Sequence, residues 1–381
     1  MNITKARNLP HRPLLVMDES HVLENEMIKA GTIKFTDSTF KALGITDIKI
    51  PKVKDSDYDK RNWLFEEVLP KLREQYLYYK NQIKQFEKFN FTKETKRIIG
   101  RYMATDRMVT IISEIKKELA DHQKVIIQSN KEQIEFKLLY GYNLFEKYFA
   151  RQADYFLHMS ATILNKDQYC KKLNLSDDEV EYLEDDSEFP IENRLVHFTP
   201  VGSLSWKNKA NTIPTLIKRV KELLNEFPDS KGIIHTVNYE LAEVIIDQLY
   251  GTNEGSRLLM PRGTNKQSIL NTFYKSSNPY VLISPSLAEG LDLKDDLSRF
   301  CIICKMPYAN ITDKWVKTRL TLDPNWYANY TAETLVQMCG RSIRSKDDFA
   351  TTYILDEDFL SFAERFYYLL PDWWKDSVVC D

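Results

Sequence analysis

The 381-residue sequence holds only 11 glycines, and none of them is followed by lysine. A phosphate-cradling loop ends in Gly-Lys-Ser/Thr, because glycines let backbone close round the oxygens and the lysine reaches the terminal phosphates. That pattern is excluded here. Long apolar runs are missing too, since no stretch approaches the roughly 20 residues of a membrane span. Met1 to Pro10 has no apolar core of the kind a signal peptide needs, so a cytoplasmic protein without membrane partners is expected. Neither charge sign dominates: 53 Lys and Arg face 55 Asp and Glu, for a net charge of −2. Bulk charge therefore does not coat nucleic acid, although a local basic groove stays open. The five cysteines are odd in number and lack framework spacing, as in a reducing compartment. Cys301 and Cys304 lie on an expected strand, where positions three apart face opposite sides, so a shared metal is not expected.

What is present begins with Leu14-Leu15-Val16-Met17-Asp18-Glu19-Ser20-His21. Four apolar residues running into two carboxylates read as a buried parallel strand that delivers Asp18 and Glu19 at its C-terminal end. A carboxylate there can hold Mg²⁺ through water while its neighbour deprotonates an attacking water. Acidic residues capping a following helix are the plainer alternative. A second strand, Tyr155–Met159, runs into Ser160-Ala161-Thr162, whose hydroxyls either satisfy a turn or relay a state to the Asp-Glu loop.

Between these strands the character changes. After the polar segment 51–57, Phe65, Leu69, Leu72, Tyr76, Tyr79, Ile83 and Phe86 step by four and three, which predicts a long helix. A second helix carries Ile98, Tyr102, Val109, Ile112, Ile115 and Leu119. The pair reads as an inserted antiparallel hairpin. It is either a packing element or, through Lys93, Lys96, Arg97 and Arg101, a contact for a nucleic-acid backbone. The acidic run from Asp177 to Glu188 reads as a connector.

From residue 195 apolar strands alternate with helices, which implies a parallel sheet covered on both faces. Strands are expected at 195–199, 232–237, 258–260, 280–285, 299–306 and 351–355, and helices at 213–226, 239–250, 265–275 and 331–345. Ligands of such sheets bind beyond the strand C-termini. Ser284 and Ser286 stand there, able to donate to a phosphate backbone, followed by Glu289-Gly290-Leu291-Asp292. Gln337, Gly340, Arg341 and Arg344 follow on the last of these helices. At i, i+4 and i+7, Gln337, Arg341 and Arg344 would share one face, and two guanidiniums beside a glycine suit a triphosphate. A solvated basic face is the alternative.

Taken in order, these segments resemble the motifs of superfamily 2 helicases of the XPD–DinG branch. Asp18-Glu19-Ser20-His21 is similar to motif II, with serine where alanine is usual, and Ser160-Ala161-Thr162 to motif III. His235 to Tyr239 sits where motif IV belongs. Glu289 to Asp292, with Cys304-Lys305-Met306-Pro307-Tyr308, resembles motif V and the next strand. Gln337 to Arg344 looks like motif VI, with Leu355, Asp356 and Phe359 also fitting. The resemblance runs from about residue 12 to 361.

It implies an α/β fold of RecA-like parallel sheets with helices on both faces: a partial first lobe (1–55 and 124–176) and a complete second lobe (195–381). A helical arch (56–123) and an acidic connector (177–194) would join them. It further implies an ATP-dependent helicase moving 5′ to 3′ on single-stranded DNA, with ATP and Mg²⁺ as cofactors. Asp18 would hold the metal, Glu19 activate water, and His21 couple hydrolysis to DNA. Gln337, Gly340, Arg341 and Arg344, with Glu289, Gly290 and Asp292, would serve the nucleotide. Ser160, Thr162, Thr236, Ser284 and Ser286 would touch DNA. Motif I and its phosphate-binding lysine are absent, and so is the preceding region that in many relatives holds an iron–sulfur cluster, which leaves the cluster undecided. An N-terminal half carrying the P-loop is then the expected partner, and this chain alone is expected to be inactive. The competing reading is a non-catalytic nucleic-acid-binding or assembly module. Abundant Lys, Asn, Ile and Tyr suit an AT-rich genome and a bacterial or phage-infected cell.

Overall fold

The computed structural model describes residues 10–85, 92–120, 124–285 and 293–380. The chain forms two compact units, Met1–Glu181 with Asn310–Leu322, and Tyr182–Ala309 with Asp323–Asp381.

In the first unit, β1 (Arg12–Met17) pairs in parallel with β5 (Ala153–His158), Leu14 opposite Tyr155 and Val16 opposite Leu157. The expectation of a buried strand is corrected here. Leu15 and Met17 pack against the core, but Leu14 and Val16 are exposed, because this sheet has only two strands among the described residues. The core instead gathers on a second sheet, order β2-β4-β3, made of β2 (Ile33–Thr36), β3 (Val125–Ser129) and β4 (Gln133–Leu138). Its strands are antiparallel. Ile134, Phe136 and Leu138 of β4 are buried in alternation, as a half-buried strand requires. Trp63 meets Phe35 and Phe40 edge-on and stacks with Phe136, centroids 5.6, 6.0 and 6.5 Å apart. Helix α1 (Leu23–Gly31) buries Met27, Ile28 and Ala30.

The expected hairpin is present as α2 (Leu69–Lys84) and α3 (Lys93–Ala120). Leu69, Leu72, Ile111, Ile112 and Ile115 are buried in the same core. Tyr76 stacks on Tyr102 at 5.2 Å, and Tyr79 donates its hydroxyl to the Leu43 carbonyl. Phe65, the first seam residue, lies on a π-helical stretch (Trp63–Val68) rather than on α2; Phe86, the last, lies outside the described residues. This base is a packing element by its contacts.

Segment 310–322, which the sequence grouped with the second lobe, belongs to the first unit. Its helix Lys314–Leu322 is tied down by polar groups rather than by an apolar stripe, which is why hydrophobic spacing did not reveal it. Trp315 Nε1 donates to the Leu138 carbonyl at 2.8 Å, and Arg319 to that of Leu139 at 2.8 Å. Arg319 also pairs with Glu24 at 2.9 Å and lies over the Tyr140 ring at 4.3 Å. Both charged side chains are almost wholly buried. Gly141 permits the close approach, since a Cβ there would stand 2.9 Å from the Glu24 carbonyl of α1.

The second unit is one parallel seven-stranded sheet, order β12-β6-β11-β10-β7-β9-β8. Its strands are β6 (Val196–Gly202), β7 (Gly232–His235), β8 (Leu258–Leu259), β9 (Val281–Ser284), β10 (Phe300–Ile303), β11 (Thr351–Asp356) and β12 (Val378–Cys380). The central strands β7, β9 and β10 are buried at every position, the continuous apolar signature of a sheet covered on both faces. Helices α4 (Lys209–Glu226), α5 (Tyr239–Gln248) and α6 (Lys266–Lys275) fall near their expected places. The expected helix 331–345 is instead α7 (Pro324–Cys339), which stops five residues before Arg344. Gly340 ends it, donating its N–H to the Val336 carbonyl at 3.0 Å. Strand β12 was not anticipated.

The buried Glu24–Arg319 pair gives a direct test. Removing one partner leaves an uncompensated buried charge, so Arg319→Ala should destabilise the first unit by about 3–5 kcal/mol in urea unfolding. A change near zero would show that the helix 314–322 is not held by this pair.

Candidate functional site

In the first unit, the C-terminal ends of β1 and β5 are locked together by backbone. Met159 donates its N–H to the Met17 carbonyl, and Ser20 donates its own to the Met159 carbonyl, both at 2.9 Å. The Ser20 hydroxyl donates to the same Met159 carbonyl at 3.1 Å and is buried. Serine in place of alanine thus adds a hydrogen bond at the joint.

Above this joint Asp18 and Glu19 are exposed. Glu19 sits at φ 50, ψ 40, a left-handed conformation uncommon for a non-glycine residue. Such strain persists where surrounding structure enforces it, often at functional sites. Here the turn carries Asp18 outward and swings Glu19 towards His21, whose Nδ1 lies 3.3 Å from Glu19 Oε2 and 2.7 Å from Ser160 Oγ. Ser160 Oγ in turn lies 3.2 Å from Thr162 Oγ1 and accepts the Thr162 N–H at 3.1 Å. The structure therefore gathers Glu19, His21, Ser160 and Thr162, residues up to 143 apart, into one line of polar contacts, with His21 Nδ1 facing both Glu19 and Ser160. Thr162 is buried within it and Ser160 half-buried.

No three His, Cys, Asp or Glu side chains cluster as a metal cage among the described residues. Mg²⁺ in phosphate chemistry is held by one or two carboxylates, waters and the phosphates themselves. An exposed Asp18 beside Glu19 fits that ion. It does not supply a triphosphate cradle, for which the chain has no Gly-Lys.

In the second unit the candidate residues divide between the two edges of the sheet: Thr236 and Ser284 stand at the C-terminal ends of β7 and β9, whereas Ser342 and Arg344 lie beside residues that precede β10. The stripe expected of Gln337, Arg341 and Arg344 does not form, because α7 ends at Cys339 and Gly340 closes it. Arg341 folds back, donating to Gln337 Oε1 at 2.8 Å, and is nearly buried, whereas Arg344 is exposed. The loop between them is held by Asp348, a residue that sequence reasoning missed. Its carboxylate accepts the N–H groups of Arg344 and Asp295 at 3.1 Å and a guanidinium hydrogen of Arg299 at 2.7 Å. The neighbouring Ser342 hydroxyl meets that of Ser298 at 2.6 Å. In sequence Lys346-Asp347-Asp348 reads as solvated charge, and no local signal marks the buried member.

Thr236 is fully buried and donates its hydroxyl to the Asn238 carbonyl at 2.9 Å, so in this geometry it does not face a nucleic-acid strand. Ser284 is fully buried as well. Ser286, Glu289, Gly290 and Asp292 lie outside the described residues. Val237, next to Thr236, holds φ 65, an outlier for a β-branched residue. Beside it His235 is wholly buried, and among the described residues neither ring nitrogen has a hydrogen-bond partner. Burial, helped by the charge of Arg341, pushes its pKa down to about 3. Asp356, at the end of β11, accepts N–H groups from Leu204, Met306 and Asp358, and burial raises its pKa to about 6.

With this geometry in place, the likenesses to known proteins can be weighed. Residues 220–377 match the family model described as helicase C-terminal domain. The chain is 26% identical over 128 residues to the ATP-dependent DNA helicase CHL1 of Candida albicans, a match covering 29% of this chain and 15% of that protein. With CHL1 of Kluyveromyces lactis the identity is 23% over 177 residues, covering 40% and 21%. The match thus spans about a fifth or less of these relatives. Among solved structures an XPD helicase superposes with a TM-score of 0.55 at 14% identity, covering 97% of this chain and 68% of its own. Xpd4 of S. tokodaii gives 0.53 at 14%, covering 97% and 75%. These two share the fold. Residues 220–377 thus resemble a helicase C-terminal domain, and the chain shares its fold with the XPD structures.

The two shifted groups set opposite pH dependences in the second unit. His235 stays neutral when folded but takes a proton near pH 6.5 when unfolded, so its contribution is full above 6.5 and declines towards pH 3. Asp356 has the opposite sign: its contribution is full below its unfolded value of 3.8 and is lost as pH rises through about 6. Between pH 4 and 6 the two largely offset, so His235→Asn should leave Asp356 unopposed and make stability on acidification rise relative to the parent, by at most about 1.4 kcal/mol per pH unit. Equal slopes for the variant and the parent in pH-dependent unfolding would remove His235 from the account.

Proposed function

We propose that the chain is the motor portion of an ATP-dependent DNA helicase of the XPD–DinG type, moving 5′ to 3′ on single-stranded DNA. On this reading it is inactive until a phosphate-binding loop joins it. The observation that carries the reading is the line Glu19–His21–Ser160–Thr162, which ties a candidate water-activating carboxylate to a second strand end. The helicase relatives support the reaction class.

When bound, Mg²⁺ supplies charge that neutralises the phosphates. Asp18 would hold the ion, and Glu19 would take the proton of the attacking water. His21, touching both Glu19 and Ser160, reports which side has changed. Arg341 and Arg344 supply planar positive charge, of a kind that accelerates phosphoryl transfer by roughly 10³–10⁵. Arg344 reaches solvent now, whereas Arg341 must leave Gln337 to contribute. The missing Gly-Lys favours one competing reading, a non-catalytic nucleic-acid-binding module that keeps the fold.

Two variants separate these readings in protein combined with a P-loop-bearing polypeptide. Glu19→Gln should abolish ATP turnover, by at least about 10²-fold, while nucleotide still binds; undiminished turnover would remove Glu19 from the chemistry. Ser160→Ala should spare basal hydrolysis and lose its stimulation by single-stranded DNA. Equal loss of both rates would make Ser160 a structural group. Single-strand affinity should fall steeply with added salt if phosphates dominate the contact, as a titration from 50 to 200 mM would reveal.

A further inference from the structure

Beyond the C-terminal end of β6, Trp206 is 85% exposed, although indole is among the side chains that burial rewards most. The loop that carries it is fixed from several sides. Leu204, two residues earlier, is buried and donates its N–H to the Asp356 carboxylate at 3.2 Å. Thr212 of α4 donates its hydroxyl to the Ser203 carbonyl at 2.8 Å. The Ser205 carbonyl accepts the N–H groups of Asn208 and Lys209 at 3.1 and 2.9 Å, which closes a turn with Trp206 at its second position. A flat aromatic surface is thus held out at a defined place, with little ordering left to be done when it meets a ligand.

Its surroundings are cationic. Lys207 is exposed beside it, and Lys209 and Lys305 line a shallow cavity with Leu204 and Asn238. Further along the same edge Arg262 lies over the Tyr239 ring at 4.6 Å. Lys209 pairs with Glu240 at 3.0 Å and Arg262 with Glu243, whereas Lys207 and Lys305 form no ion pair among the described residues. From β6, which leads to Trp206, to β7, which leads to Tyr239, the sheet order counts three strand spacings. That is about 14 Å, the length of about four stacked nucleotides. An exposed indole with lysines beside it pairs a stacking face with phosphate contacts, the means by which single strands are held without sequence readout. An apolar protein partner would leave the lysines unmatched, and a double helix, its bases already stacked, would leave the indole unused. Thr236 and Ser284, the hydroxyls expected to touch DNA at this edge, are buried and supply no such contact in this geometry.

We propose that Trp206 is a base-stacking platform for single-stranded DNA, with Lys207 and Lys305 receiving the neighbouring phosphates. This deepens the function given above and rests on its single-strand substrate. Trp206 and Lys207 lie outside every segment that carried the helicase resemblance. The platform adds a requirement of its own: the strand must present a base here, so a backbone stripped of bases is gripped by charge alone.

The test is fluorescence anisotropy of the full chain, without ATP, on a short labelled oligothymidylate and on the same backbone carrying abasic sugars. Trp206→Ala should weaken oligothymidylate binding about tenfold or more and leave the abasic strand's affinity as it was, while Trp206→Phe restores most of the loss. Lys207→Glu should weaken both strands and lower the logarithmic salt slope by about one. Because both side chains are exposed, every variant should melt with the parent. The proposal is overturned if Trp206→Ala binds oligothymidylate as the parent does, if it loses both strands equally, or if the parent binds neither. Hydrolysis stands apart: a grip that needs Trp206 in a protein that never turns over ATP keeps the platform and removes the motor reading. DNA-stimulated turnover with binding indifferent to Trp206 does the reverse.

Discussion

The pairing of β1 with β5 is the constraint on which the candidate chemistry rests. Parallel strands end together, so whatever follows each is delivered to the same edge, however far apart in sequence. The Met17–Met159–Ser20 backbone bonds fix that edge, and the strained turn at Glu19 then has one direction to take. The result is a line of polar atoms from an exposed carboxylate to a buried threonine. In the second unit the same logic operates on a larger scale, where seven parallel strands bring His235, Ser284, Cys304 and Asp356 to one edge.

Legibility followed the range of the physical signal. Continuous apolar runs announced β7, β9 and β10, and the four–three seam announced the helical hairpin. The apolar run at 14–17 reads as a buried parallel strand. The chain builds the strand but buries one face, and no pattern within the run distinguishes those cases. Gly340 offered a warning that helical spacing overrode, since glycine past a helix end commonly closes it. Gln133 to Leu138 alternates with period two and was open to recognition, yet the antiparallel sheet it forms was not anticipated. Asp348 and the Glu24–Arg319 pair were beyond reach, because a charge is buried by partners far away in sequence.

The two arginines of the last motif illustrate the difference between composition and placement. Residue types and order identified the family, whereas Arg341 bound to Gln337 and Arg344 in a loop pinned by Asp348 are features of the fold. Arg341 is nearly buried and Arg344 exposed. The left-handed backbone at Glu19 and at Val237 follows the C-terminal end of a parallel strand in each unit.

The account turns on the claim that this chain holds the water-activating half of an ATP-driven motor. The most direct measurement is phosphate release with Mg²⁺ and single-stranded DNA, for the chain alone and for the chain with a P-loop-bearing polypeptide. The account predicts no turnover alone and DNA-stimulated turnover when both are present. Turnover by the chain alone, or none from the pair when each is folded and bound, would contradict it.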